Sequence, residues 1–244
     1  MFRIATVATV TAVASVVTLG SLVCAVPAFA ATPADGSPAI SAHSTLAEIQ
    51  QAGAAATAKR ITSLTTRIGK VSGGTHLTSA DKATVLATLN HDLSGMQGLK
   101  SKIAADTTVA SARADYGSIF TSYRVYAVGL QQSFVASAAD GLTGTAIPKL
   151  QSASAKITAA FAAHPSKVTP ALQAQLTDMK AKIADAVTKT SGLSASALAV
   201  TPSAYNANHA VLTADRAAAR AALADRKAAV QDGKAIRTAL KALK

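Results

Sequence analysis

From Thr45 onward, apolar residues recur at steps of three and four, and no stretch sustains an alternation at step two. That period predicts helices. The first opens at Thr45, where Thr45-x-x-Glu48 forms a capping box that satisfies free backbone N–H groups at the helix start. Its seam runs Leu46, Ile49 and Gly53, then shifts to Ile61, Leu64, Ile68 and Val71, and Ser72-Gly73-Gly74-Thr75-His76 ends it. The second begins at Thr78 or Ser79 with Asp81 in its first turn, a favourable place in the helix dipole. Leu86, Leu89, Leu93, Met96 and Ile103 lie on one face of it.

Asp106-Thr107-Thr108 caps a third helix, the cleanest pattern in the chain. Val109, Ala112, Tyr116, Ile119, Tyr123, Tyr126 and Leu130 keep an unbroken 3-4 spacing, a heptad seam that faces other helices. Gly141 and Gly144 are expected to end this segment. Ile147, Leu150, Ile157 and Phe161 mark a shorter fourth helix, stopped near His164-Pro165. Thr169-Pro170 opens a fifth, with Thr as cap and Pro in the first turn. Its seam is Leu172, Leu176, Met179, Ile183 and Val187, and Ser191-Gly192 closes it. Thr201-Pro202 repeats the start signal, and the last helix is expected to run nearly to Lys244, roughly 60 Å if straight. Its core-facing positions are mainly Ala, with Leu212, Leu223, Val230, Ile236, Leu240 and Leu243. Ala buries little area, so this helix is expected to fray or bend at its end. The sum is an all-α protein: an elongated antiparallel helical bundle of about six helices with coiled-coil-like seams and a long C-terminal helix.

Residues 1–30 read as targeting rather than fold. Arg3 is a short positive n-region, Ile4 to Val26 are uncharged, and Pro27 precedes an A-x-A site at Ala28-Phe29-Ala30. This predicts a secretory signal peptide cleaved after Ala30. The apolar run is also just long enough to span a bilayer, so an uncleaved anchor is the alternative, and the only route to a membrane. Residues 31–44, with two Pro, one Gly and no apolar period, read as a flexible leader, and 45–244 as a single helical domain. Cys24 is the only Cys and falls in the cleaved segment, so the secreted chain has no disulfide and no thiolate ligand.

Composition adds three constraints to the 244 residues. Ala accounts for 59 of them, aromatic residues for 4 %, and the net charge is +12, or +11 once Arg3 is removed. Half of the chain is apolar, which excludes a disordered polyelectrolyte. A basic secreted chain meets anionic envelope polymers, phospholipid surfaces or nucleic acid, and charge alone does not choose among them.

Most catalytic chemistries fail on residue type. A carboxylate-bridged di-iron bundle needs several inward Glu, and Glu48 is the only Glu in the chain. His43, His76, His91, His164 and His209 form no pair one helical turn apart around a Glu, as zinc protease chemistry requires. Gly192-Leu193-Ser194-Ala195-Ser196 lacks the last Gly of a serine nucleophile elbow, and no strand precedes it. Gly69-Lys70 and Gly233-Lys234 lack the rest of a phosphate loop. No catalytic residue, cofactor or metal ligand is assigned.

Two features remain as candidates. Tyr116, Phe120, Tyr123, Tyr126 and Phe134 crowd into 19 residues beside Arg113 and Arg124. Arg113, Tyr116, Tyr123, Arg124 and Tyr126 form a candidate ligand or partner surface, with hydroxyls and guanidinium groups for orientation. Core packing accounts for the same spacing, because the three Tyr lie on the heptad seam. The second feature is the basic C-terminal helix. Arg216, Arg220, Arg226, Lys227, Lys234 and Arg237 are candidate anion-binding residues for a lipid head group, an envelope polymer or nucleic acid. Against this, Arg216, Arg220, Lys227, Lys234 and Lys241 do not read as one tight stripe, and no aromatic is interleaved, so a solvated face accounts for them too.

Several strings resemble a group of secreted helical proteins of high-GC Gram-positive (actinobacterial) bacteria. They are Leu77-Thr78-Ser79-Ala80-Asp81-Lys82-Ala83, Ile103-Ala104-Ala105-Asp106-Thr107, Asp115-Tyr116, Ile119-Phe120, Tyr123-Arg124-Val125-Tyr126 and Thr201-Pro202-x-x-Tyr205-x-x-Asn208-His209. The group is uncharacterised, so the resemblance implies compartment and helical form, and carries over no functional residue. The expected function is a secreted, non-enzymatic binding or scaffolding protein at or outside the cell envelope. Its expected partner is an anionic envelope polymer or another helical protein. One alternative is a small-molecule or lipid carrier using the Tyr-rich helix. The other is an anionic-polymer or nucleic-acid binder using the C-terminal helix, although nothing in the sequence is specific to nucleic acid.

Overall fold

The computed structural model describes residues 39–242. The expected signal peptide with Cys24, the first part of the expected leader, and Leu243 lie outside the described residues. Every regular element among the described residues is helical, an all-α bundle.

Local signals fix most helix starts. Helix α1 (Leu46–Gly73) carries the complete capping box, with Thr45 N–H donating to Glu48 Oε2 at 2.7 Å and Glu48 N–H to Thr45 Oγ1 at 3.3 Å. Thr78 and Thr108 cap α2 (Ser79–Ala105) and α3 (Val109–Ser118) with half of that device, their side-chain oxygens accepting the Asp81 and Ser111 N–H groups. Helices α1 and α2 pair antiparallel: Ile103 packs where a side chain on Gly53 would sit, and Gln50 donates to the Ala104 and Asp106 carbonyls near the end of α2. With α3 they enclose a first core of Ile49, Leu64, Leu89, Met96, Ile103 and Ile119. Residues 39–44 approach this core, with Ile40 half-buried against it.

The third helix departs from expectation. After Ser118 its winding loosens into a π-helical turn, Ile119–Tyr123, and it stops at Arg124, whose φ of 50° is left-handed. A π turn adds one residue per turn, so the heptad phase is lost where it looked strongest. Beyond it Tyr126 and Leu130 are only half-buried, and the buried positions move to Val125, Val128 and Gly129; Val109, at the exposed start of α3, is also off the seam at 39 % exposure.

Gly141 and Gly144 do not end a helix either. Helix α4 (Gly129–Gly141) runs through a second π turn (Leu142–Ala146) into α5 (Ile147–Ala163). Pro148 has no N–H to give the carbonyl four residues back, and the π turn before it absorbs that mismatch. Burial of Leu142 and Ile147 on either side outweighs the roughly 1 kcal/mol that each helical Gly costs.

Beyond His164, a short 3₁₀ turn (Pro165–Lys167) leads to α6 (Pro170–Thr190), capped by Thr169 as expected. Gly192, at φ 66°, supplies the left-handed turn into α7 (Leu193–Leu198). The expected long last helix is two pieces, α8 (Pro202–Ala207) and α9 (Thr213–Ala242). Asn208 breaks it: its side-chain oxygen accepts the Ala210 N–H at 2.9 Å, which closes a local turn in place of the next helical one. Helices α5, α6 and α9 share a second core of Ile147, Ile157, Leu176, Met179, Ile183 and Ile236. Helix α7 packs on α4 over a third, small core with Val135, Leu193 and Leu212. The Ala seam of α9 permits close approach: Met179 Cε lies 3.2 Å from where a Gly233 side chain would begin.

Candidate functional site

The Tyr-rich segment is drawn into packing. Tyr116 is buried, and its ring lies 5.1 Å from Phe120. The Arg60 guanidinium of α1, 3 % exposed, stacks 4.6 Å from Phe120 and 5.0 Å from Tyr126. Such cation–π contacts strengthen when water is excluded. The Tyr126 hydroxyl shares a 3.1 Å hydrogen bond with Ser63 Oγ. Tyr123 lies flat against Gly95 of α2, with its ring 5.8 Å from His91. The two Arg flanking the Tyr in sequence go elsewhere. Arg113 Nη2 donates to the Ala42 and Ser44 carbonyls and holds the turn before α1. Arg124 Nε donates to Asn206 Oδ1 at 2.6 Å and stacks over Tyr205, which fastens α8 to the π turn. Of the five sequence candidates, Tyr126 meets Arg60 beside Phe120 and Tyr116 packs on Phe120, while Arg113, Tyr123 and Arg124 are engaged elsewhere. Arg60 and Ser63 belong to the first helix, so only tertiary folding brings them in.

Two carboxylate sites were not singled out from sequence. Asp92 of α2 is 4 % exposed, with Oδ2 buried and unpaired and the Gly129 backbone lying over it. Burial pushes its carboxyl up to about 7. Val85, Leu89, Asp92, Met96, Leu99 and Ile103 are all buried at 4-3-4-3-4 steps, so the core position of Asp92 was legible in the spacing. Asp140 of α4 accepts the Thr78 N–H at 2.8 Å, while Asp81 accepts a 2.5 Å hydrogen bond from Ser194. Burial first, and the neighbouring Asp81 carboxylate as well, hold Asp140 above the usual carboxylate range. This junction ties α2, α4 and α7 together, and its Ser donates to a carboxylate rather than to an imidazole base. Among the described residues no three His, Cys, Asp or Glu side chains gather to hold a metal ion.

The cations of α9 look different once the helix is seen to run unbroken over Thr213–Ala242. At about 100° per residue, Arg216, Arg220, Lys227, Lys234 and Lys241 fall within roughly 60° of one another. They do form one stripe, contrary to the sequence reading, because steps of four and seven both return to nearly the same helix face. Arg226 and Arg237 border the stripe on its core side. Arg226, Lys227, Lys234, Arg237 and Lys241 are exposed, whereas Arg216 and Arg220 are half-buried. Two of the three acids of α9, Asp225 and Asp232, lie on the other flank, while Asp215 in the first turn accepts a hydrogen bond from Ser196 Oγ of α7. Asp225 accepts a 2.6 Å ion-pair bond from Lys189 of α6, and that hydrogen bond is the main cause that raises the Lys189 ammonium's pKa. Asp232 is raised by burial and then by Asp178, with Lys182 opposing. From Arg216 onward α9 is therefore divided lengthwise, with Asp225 and Asp232 toward α6 and cations on the opposite flank. The flank presents ammonium and guanidinium cations, groups that attract anions. Among the described residues no helix is long and apolar enough to cross a membrane.

No known protein family, no curated protein and no solved structure matches this chain.

Proposed function

We propose that this is a secreted, non-enzymatic helical protein that binds an anionic polymer of the cell envelope through the cationic flank of α9. The observation that carries this reading is the exact heptad spacing of Arg220, Lys227, Lys234 and Lys241 on one unbroken helix. That spacing lines up cations about 10.5 Å apart along the axis. The Tyr116 to Tyr126 rings are engaged in helix packing, which favours the polymer over a small-molecule carrier.

Binding of short poly(glycerol phosphate) across a salt series tests the reading. Each cation–phosphate contact contributes about 0.7 to the slope of log K against log salt for a single-stranded polyanion, roughly fivefold in affinity at 0.1 M. Lys227→Gln/Lys234→Gln is expected to weaken binding roughly 25-fold at 0.1 M salt and to flatten the slope by about 1.4. Lys70→Gln/Lys100→Gln removes the same charge from exposed positions on α1 and α2 and is expected to leave affinity within about twofold. Equal loss in the two variants would mean that net charge alone governs binding, and the assignment to α9 would fall.

A further inference from the structure

The α9 stripe has a basic neighbour in α5. Helix α5 reads IPKLQSASAKITAAFAA: it carries no acid at all, and its two charges, Lys149 and Lys156, are both exposed and one heptad apart. The question is which way they face.

Three contacts set the order of α5, α6 and α9. Lys189 meets Asp225 and Met179 meets Gly233, so α6 and α9 are antiparallel. A groove of about 540 Å³ between α5 and α6 is lined by Thr158 and Phe161 opposite Gln173 and Leu176, so α5 and α6 are antiparallel too. Helices α5 and α9 therefore run parallel, and both contribute to the second core. Following these pairings across, Lys149 stands level with Arg226 and Lys227, and Lys156 with Lys234 and Arg237.

Rotation about each axis settles the face. Viewed along α9 from its N-terminus, residues advance clockwise. Asp225 and Asp232 lie counter-clockwise of the buried row Ala222, Ala229, Gly233 and Ile236, and Lys189 places α6 on that side. As third member of the shared core, α5 lies on the clockwise side, where Arg226, Arg237, Lys234 and Lys227 follow. On α5 the buried row is Ile147, Leu150, Ser154, Ile157 and Phe161. Lys149 and Lys156 lie about 120–140° counter-clockwise of it. That flank of α5 is the one turned toward α9. Both lysines thus join the same side of the bundle as the α9 cations.

Resting on the reading of α9 given above, we infer that α5 and α9 together form a two-railed cationic face for a flexible, linear phosphodiester polymer without bases, with Lys149 and Lys156 as its second rail. The rails lie roughly 8–10 Å apart, the usual spacing of packed helices. Each seven-residue step makes a rung about 10.5 Å from the next. Lys149 with Arg226 and Lys227 forms one rung, and Lys156 with Lys234 and Arg237 the other. None of these six cations pairs with a carboxylate among the described residues, while four acids of the same bundle, Asp178, Asp185, Asp225 and Asp232, gather along the α6 side. A repeating chain of phosphates fits that segregation. A base-bearing strand would want exposed aromatic rings for stacking. Helix α9 has none, and the only ring on α5, Phe161, is buried. A membrane surface would want bulky apolar anchors, and the exposed non-charged positions of α9 are Ala, Gln and Thr.

The test is Lys149→Gln/Lys156→Gln in the full chain, titrated with poly(glycerol phosphate) of defined length beside the α9 and α1–α2 double variants. The expected result is a roughly 25-fold loss at 0.1 M salt with a slope flatter by about 1.4, matching the α9 variant. If only the α9 variant loses affinity, the α5 rail is wrong and the α9 reading stands. If neither differs from Lys70→Gln/Lys100→Gln, both are wrong. At matched phosphate concentration, oligo(dT) and phosphatidylglycerol vesicles are expected to bind more weakly than poly(glycerol phosphate). Equal or tighter binding of either would overturn the assignment of the polymer class.

Discussion

Asp92→Asn is expected to stabilise the protein by roughly 2–4 kcal/mol above pH 7 and to have little effect below pH 4. The Asp92 carboxyl is buried beneath Gly129, and Oδ2 receives no hydrogen bond to offset the loss of water. Its folded-state pKa of about 7 lies well above the value in an unfolded chain. The folded state therefore holds this proton more tightly than the unfolded state. Below pH 4 both states are protonated and the group contributes nothing. As pH rises from about 4 toward 7 the unfolded chain ionises first, and stability falls until the folded carboxyl ionises as well. Each tenfold change in proton affinity is worth about 1.4 kcal/mol, which sets a ceiling near 4 kcal/mol. Asn has the same shape and cannot ionise. Urea denaturation of both proteins from pH 4 to 8 gives a difference curve that isolates Asp92 from the raised Asp140 and Asp232. A flat difference curve would show that water or a cation reaches the carboxylate.

Gly95→Ala is expected to cost about 3 kcal/mol or more, at the severe end of overpacking. A methyl group on Gly95 would overlap the Tyr123 ring at Cε1 and Cζ, and that ring is wedged between α2 and the π turn before Arg124. For a chain of this size the loss corresponds to a fall in Tm of about 6–12 °C. Gly98→Ala is the matched control three residues along the same helix. Nothing lies within 4 Å of a methyl group there, so the better helix propensity of Ala is expected to stabilise by about 0.5–1 kcal/mol. Thermal denaturation of the pair reads both. Equal Tm values would mean that Tyr123 swings clear at little cost and that the π turn is not held by this contact.

These expectations show how far the sequence could be read. Features set by neighbours in the chain were legible. The Thr45 and Glu48 box, the Thr169-Pro170 start and the Gly192 stop each depend on groups within a few residues, and each is found. The seams of α5 and α6 were legible for the same reason, although Val187 turns out 43 % exposed and Ala186 takes its place in the core. Features set by phase were not. The Tyr116–Leu130 heptad looked secure because a sequence period assumes a constant winding, and the π turn at Ile119–Tyr123 changes the winding. Gly141 and Gly144 misled in the opposite direction, because their cost is small beside the burial of Leu142 and Ile147.

The candidate sites divide along the same line. Asp92 occupies a core step of its helix and could have been found by extending the Leu89 and Met96 spacing. The convergence of Arg60 on Phe120 and Tyr126 joins residues about sixty positions apart, and nothing local announces it. The cationic stripe was present in the numbering of α9, but its meaning depends on which flank meets α6. That is decided by Lys189 and Asp225, which lie 36 residues apart on different helices.

Lysine footprinting on a polymer-bound sample tests the central claim most directly. The purified protein is treated with an amine-acetylating reagent alone and with saturating poly(glycerol phosphate), and modification is read at each lysine by mass spectrometry. Protection is expected at Lys149, Lys156, Lys227, Lys234 and Lys241, with Lys70, Lys100 and Lys180 modified equally in both samples. Uniform protection of every exposed lysine, or protection centred on α1 and α2, would contradict a binding face built by α5 and α9.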